Sequence, residues 1–355
     1  MNRATKRQAI RFKRYAARKS GLLMVWMLAL ILVLTACGTG GGSNGNAAQP
    51  SAAAESSSAP ESQAQASPEA TAAAAFPVTI THMKGEITLT EKPKVIAALD
   101  VKFVDQLMAI GERPAGSVVA GAKGATFPEY LGDGLTDVQV LGTRDEPNLE
   151  AIVALNPDLI LMTDFQEEVY ESVSQIAPTV VLDFYEDWRD TLAVIGKIMD
   201  KQTEGEAVRQ AYEDKIAGLR EQLSAKLGDE TVSLIRPRPE GIRVHGPDHR
   251  TGSILYEDLG LNAPAFVQEI TDDTSVEISM ETVADIGADH YFLLSDELFA
   301  KEAAVLANSP VWKSIDPVKN NRVYDVNSTL WIAYYGPIAL NIIVDQAAEA
   351  LLASN

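Results

Sequence analysis

Cysteine is nearly absent: Cys37 is the only one in 355 residues, so no intrachain disulfide can form. Histidine is scarce too, with His82, His245, His249 and His290 as the full set. His245 and His249 have helical i,i+4 spacing, but Gly246 and Pro247 between them break a helix. No carboxylate is spaced to complete a zinc or manganese site with them, so the sequence offers no metal centre. It also lacks a G-x-S-x-G elbow, an H-E-x-x-H pair and a Walker A loop, and nothing gathers a nucleophile with a base. An enzyme is therefore disfavoured. Positive charge is the minority sign, 30 Lys and Arg against 49 Asp and Glu, for a net charge of −19.

The minority sign is concentrated at the start. Residues 1–36 hold eight Lys or Arg and no acid, and include the apolar run GLLMVWMLALILVL, Gly21 to Leu34. That run is too short for a comfortable membrane span, and its flanks are those of a secretory signal. It ends in Leu34-Thr35-Ala36-Cys37, which resembles the lipobox of bacterial lipoproteins. That resemblance implies a signal peptide over 1–36 and a lipid on Cys37, the membrane being reached through this N-terminal lipid. Removing the eight basic residues of the leader takes the charge from −19 to −27. Such a surface argues against nucleic acid or anionic lipid as partner.

Residues 37–75 are rich in Gly, Ser, Ala, Gln and Pro, with few groups able to bury apolar area. They read as a disordered tether. The remaining 280 residues exceed the size of one growing core, so two lobes are expected. Short apolar runs alternate with helical stretches. Val78 to Leu89 reads as a hairpin turned at Lys84-Gly85. KVIAAL, a helix near Phe103 to Ile110 and SVVAG then make a β-α-β unit, followed by DLILM and TVVLDF. EGEAVRQAYEDKIAGLREQLSAKL, 204–227, is a long helix, and TVSLI, GIRVHG, HYFLL and NRVYDV form a second α/β series. The expected fold is α/β: two Rossmann-like lobes with mainly parallel sheets, 76–203 and 228–355, joined by one long backbone helix, with the ligand cleft between the lobes. A weak repeat supports duplication, EAIVALNPDLILM from Glu150 against ETVADIGADHYFLL from Glu281.

KVIAALDVKFVDQLMAIGERPAG, GTRDEPNLEAIVALNPDLIL, RVHGPDHRTGSILYEDLGL and SMETVADIGADHYFLL, in that order, resemble the substrate-binding lipoproteins of ABC importers. The nearest group captures ferric siderophores, ferric citrate and cobalamin. The resemblance implies a monomer held by lipid at the extracytoplasmic face of the cell membrane, serving a permease dimer and its ATPase. The long tether and Gly38 suit a Gram-positive outer surface. Iron is expected only inside its chelate: the His-rich loop of metal-ion-binding relatives is missing, and no cofactor is implied. A cobalamin- or haem-binding lipoprotein of the same fold, or a sensor or adhesion lipoprotein, remains open.

Val232 to Gly252, VSLIRPRPEGIRVHGPDHRTG, gathers Arg236, Arg238, Arg243 and Arg250. A guanidinium is a permanently charged planar fork suited to carboxylate oxygens, so the cluster reads as a grip for an anionic ferric chelate of the citrate, carboxylate or hydroxamate type. Arg243 alternates with Val244 and points to the opposite sheet face. The resemblance adds Arg144 from the other lobe and Trp331, with Tyr335 beside it, in the loop entering the last helix. Lys102, at a strand's carboxyl end, is a weaker candidate, and Tyr185 and Trp188, following TVVLDF, are placed on the opposite wall. The resemblance also gives Glu150 and Glu281, one per lobe, to permease docking.

Overall fold

The computed structural model describes residues 76–121, 124–239, 241–271, 273–295 and 299–354. The signal peptide, the lipidated Cys37 and the tether lie outside the described residues.

The first strands are a hairpin, β1 (Val78–His82) and β2 (Gly85–Leu89), paired antiparallel with His82 opposite Gly85. The turn is therefore Met83-Lys84, one residue earlier than the sequence suggests. Gly85 enters β2 at φ +127°, a conformation closed to L side chains. Five parallel strands follow: β3 (Ile96–Ala98), β4 (Gly116–Val119), β5 (Gln139–Thr143), β6 (Leu159–Thr163) and β7 (Thr179–Leu182), in the order β5-β4-β3-β6-β7. β3, β4, β6 and β7 are buried throughout, as befits a sheet covered on both faces. Between them run α1 (Lys102–Ala109) and α2 (Leu149–Leu155), and after β7 comes α3 (Trp188–Met199). The order reverses between β3 and β6, and at such a switch point the carboxyl ends of the strands open a crevice.

α4 (Gln202–Leu227) is 26 residues long, about 39 Å of rigid rod. Its polar surface is interrupted by buried Tyr212, Ile216, Leu223 and Leu227 at helical spacing, and Gly228 ends it at φ +56°. The second sheet follows: β8 (Val232–Arg238), β9 (Gly241–His245), β10 (Ser275–Ile278), β11 (His290–Leu294) and β12 (Val323–Val326), in the order β10-β9-β8-β11-β12. β8, β11 and β12 are parallel, but β8-β9 and β9-β10 are antiparallel, so this sheet is mixed. The cause is local: Arg238 faces Gly241 across a tight turn, which leaves no length for a crossover. The last helix, α5 (Pro337–Ala353), packs on both α4 and α1 and so returns to the first lobe.

The Glu150 and Glu281 phrases occupy matching places. Each lies on a short helix, α2 or Met280–Ile286, feeding the strand that pairs with its sheet's first parallel strand: β6 on β3, β11 on β8. A clasp ties the two halves across α4. Arg189 of α3 donates to Asp258 at 3.1 Å, and Tyr212 of α4 donates to the same carboxylate at 2.8 Å.

Candidate functional site

On the first sheet, three strand ends converge. Arg144 follows β5, Phe165 follows β6 and Phe184 follows β7. The Arg144 guanidinium sits 5.0 Å from the Phe165 ring centroid and 5.6 Å from that of Phe184. The two rings tilt against each other at 5.2 Å, and Tyr185 meets Phe184 edge-on at 5.1 Å while remaining half exposed. Backbone bonds fix this rim: Arg144 N–H donates to the Val119 carbonyl, and Phe184 N–H to the Asp164 carboxylate.

The second sheet supplies a shelf. Register places Arg236 directly opposite Arg243, with Glu277 opposite Arg243 on its other side. Strand alternation puts Arg236, Arg238, Arg243 and Glu277 on one face, while Ile235, Ile242 and Val244 face a separate apolar cluster behind. Arg236 and Arg243 thus rise from a strand face, and Arg238 from the end of β8 beside the turn. Glu277 accepts from Arg243 at 2.7 Å and lies 3.7 Å from Arg238 Nε. Arg236 has no carboxylate partner among the described residues; its guanidinium lies 5.3 Å from the Phe299 ring centroid. Burial, then Arg243 and Arg238, push its pKa down to about 10.

Arg250 connects the two surfaces. It opens the short helix Arg250–Ser253 behind the N-cap His249, and its guanidinium lies 3.4 Å from the Tyr335 ring centroid and 4.2 Å from that of Phe184. It donates to the Phe184 carbonyl at 3.3 Å. Arg144 and Arg250, from opposite sheets, therefore approach one phenyl ring. Burial pulls the Arg250 pKa down, and the phenol of Tyr335 and the carboxylate of Asp100 oppose that. Beneath lie His245 and His249, ring centroids 4.2 Å apart. His245 is buried with both ring nitrogens unpaired, and burial together with the neighbouring cations holds both imidazoles neutral, His249 down to about 3. Among the described residues no three His, Cys, Asp or Glu gather as metal ligands.

Three expected ligand contacts are buried and engaged within the protein. Trp331 is fully buried in a π-helical turn, Thr329–Ala333, donating its indole N–H to Gln346 and packing on Phe292 at 4.8 Å. Backbone geometry turns it into the core. Trp188 packs on Tyr212 at 5.0 Å and is 6% exposed. Lys102 is 3% exposed, with its ammonium donated to the Asp183 carbonyl at 2.8 Å, so it braces the exit of β7 instead of meeting solvent. Tyr335 and Tyr185 do border Arg250. Phe165, Phe184, Phe299 and Glu277 were not anticipated. Phe184 had one signal, its position two residues past a strand end, which reading TVVLDF as a continuous strand concealed. Glu150 and Glu281 are exposed in the first turns of their helices.

A family model described as periplasmic binding protein matches residues 96–330. A probable siderophore-binding lipoprotein of Bacillus subtilis (strain 168) is 30% identical over 283 residues, 75% of this chain and 85% of the relative. The achromobactin-binding periplasmic protein of Dickeya dadantii (strain 3937) is 28% identical over 270 residues, 72% and 86%. Among solved structures, Staphylococcus aureus SirA complexed with staphyloferrin B is similar at a TM-score of 0.69 and 31% identity, over 77% of this chain and 98% of that one.

Proposed function

The chain belongs to the periplasmic binding protein family, and we propose that it captures an anionic ferric siderophore and hands it to an ABC importer. One observation supports the cargo most directly. In a protein with 49 acids, Arg144, Arg236 and Arg250 lack a carboxylate partner among the described residues and meet at aromatic rings instead. Guanidinium groups left unpaired beside apolar surface are suited to bidentate hydrogen bonds with a ligand's carboxylates. The relatives named for siderophores and the staphyloferrin B complex of SirA point the same way.

In this reading the chelate enters between the two sheets. Arg144 and Arg250 meet its oxygens over Phe184, and Arg236 with its neighbours meets them from the shelf. Tyr185 and Phe165 cover its apolar parts. The α4 rod and the Asp258 clasp restrict the lobes to small movements. The loaded protein docks through exposed Glu150 and Glu281, one per sheet, on a permease dimer whose ATPase drives uptake. It performs no chemistry on the cargo, and iron stays within its chelate. Cys37 carries the lipid that holds this monomer to the outer face of a Gram-positive membrane; among the described residues no helix is long and apolar enough to cross one.

A fluorescence-quenching screen against ferric chelates, iron-free chelates and cobalamin tests the proposal. Tight binding of carboxylate-bearing ferric chelates supports it. A preference for cobalamin, or no binding of any ferric chelate, contradicts it.

A further inference from the structure

Helix α5 starts at Pro337, so the amides of Ile338 and Ala339 have no acceptor within their own helix. The residue at the cap position is Gly336, which has no side chain to offer. The acceptor arrives from α1. Asp105 takes Ile338 N–H on one carboxylate oxygen and Ala339 N–H on the other, each at 2.8 Å, and Tyr130 O–H at 3.0 Å. Asp105 is fully buried, and a Cβ at Gly336 would overlap its carboxyl group, so this approach requires glycine. Burial raises its pKa to about 6, while the three hydrogen bonds it accepts favour the ionised form. The carboxylate thus also meets the positive end of the helix dipole.

The residues just before the cap are Tyr334 and Tyr335. Tyr334 meets the Tyr130 ring edge-on at 5.8 Å, so Tyr130 touches both Asp105 and this segment. Tyr335 carries the Arg250 guanidinium on its ring. The route from Asp105 to Arg250 is therefore one carboxylate, one turn of backbone and one phenol ring. It also crosses the molecule, since α1 lies between β3 and β4 while Tyr335 follows β12.

We infer that Asp105 is a positioning residue for the ligand site: capping α5 from α1, it fixes Tyr335 beneath Arg250 and so sets the guanidinium that meets the cargo. This rests on the reading of Arg250 as a ligand-binding group. Two readouts separate the inference from that reading and from plain helix capping. The first is the Arg250 side-chain N–H resonance of the ligand-free protein, assigned with Arg250→Ala and displaced by the Tyr335 ring current. The second is affinity for ferric staphyloferrin B.

Asp105→Asn keeps the shape but turns an amide N–H₂ towards a backbone donor. The Arg250 resonance is expected to move towards its unshifted position, and affinity to fall about tenfold, the scale of one or two hydrogen bonds. Tyr130→Phe, which removes one donor and keeps the ring, moves the resonance the same way to a smaller extent. In an Arg250→Ala background Asp105→Asn should cost no further affinity. An Arg250 resonance unmoved in the folded variants overturns the inference, as does an undiminished Asp105→Asn effect in the Arg250→Ala background. Should Asp105→Asn fail to fold, Tyr130→Phe decides by the same criteria. If Arg250→Ala leaves affinity unchanged, the ligand-site reading fails, while the resonance still judges the positioning.

Discussion

Arg236 and Arg243 stand directly opposite each other across β8 and β9, and among the described residues only Arg243 of the pair is hydrogen-bonded to a carboxylate, that of Glu277. Like charges directly opposite destabilise a sheet, so the ligand-free protein holds this pair at a cost. Arg236→Met keeps the side-chain length and removes the charge. The melting temperature of the ligand-free variant should stay level or rise. Affinity for an anionic ferric chelate should fall by about 1.5–3 kcal/mol, the range of a hydrogen bond to a charged group. Calorimetric titration beside a thermal melt reads both.

Glu277 damps the shelf. Glu277→Gln frees Arg243 and Arg238, so anionic chelates should bind several-fold tighter at low salt. Because these groups are partly exposed, the gain should shrink as salt approaches 0.5 M. Weaker binding would instead make Glu277 part of the ligand contact.

His249 and His245 give the fold a pH signature. Their folded pKa values lie below the usual 6.5, so between about pH 3 and 6.5 the unfolded chain binds more protons. Their contribution is full above pH 6.5 and is lost as pH falls through that window. His249 also caps its helix through an unprotonated Nδ1, accepting from Thr251 N–H at 3.2 Å, so protonation removes the cap. By pH 4.5 the loss should reach about 3 kcal/mol for His249, and His249→Asn, which keeps a cap without titrating, should flatten this limb in urea melts.

Glu150 and Glu281 should act on transport alone. Glu150→Lys and Glu281→Lys should each lower uptake of radiolabelled ferric chelate by cells, the double variant most, with chelate affinity unchanged. Normal uptake by the double variant would place docking elsewhere.

The pieces legible in the sequence are those governed by local rules. Apolar runs alternating with helices fix an α/β plan, and period-2 alternation separates Arg243 from Val244 before any strand is seen. What escaped depends on register or on side-chain direction. Glu277 reaches Arg243 only because β10 pairs with β9 in one register, thirty-four residues away. Trp331 looked like a wall residue until a π-helical turn aimed it at Gln346. Lys102 stands just past a strand end, yet a carbonyl of the chain, Asp183, takes its ammonium. The mixed second sheet follows from a turn too short for the crossover that a parallel reading of TVSLI and GIRVHG assumes.

In the proposed site, guanidinium groups from both lobes that have no carboxylate partner among the described residues close around a negatively charged iron complex. Titrating the purified protein with ferric staphyloferrin B and with a ferric trihydroxamate lacking carboxylates, from low to high salt, addresses this most directly. Preference for the carboxylate chelate, with affinity falling as salt rises, is the predicted result. Equal or tighter binding of the trihydroxamate, insensitive to salt, would contradict it.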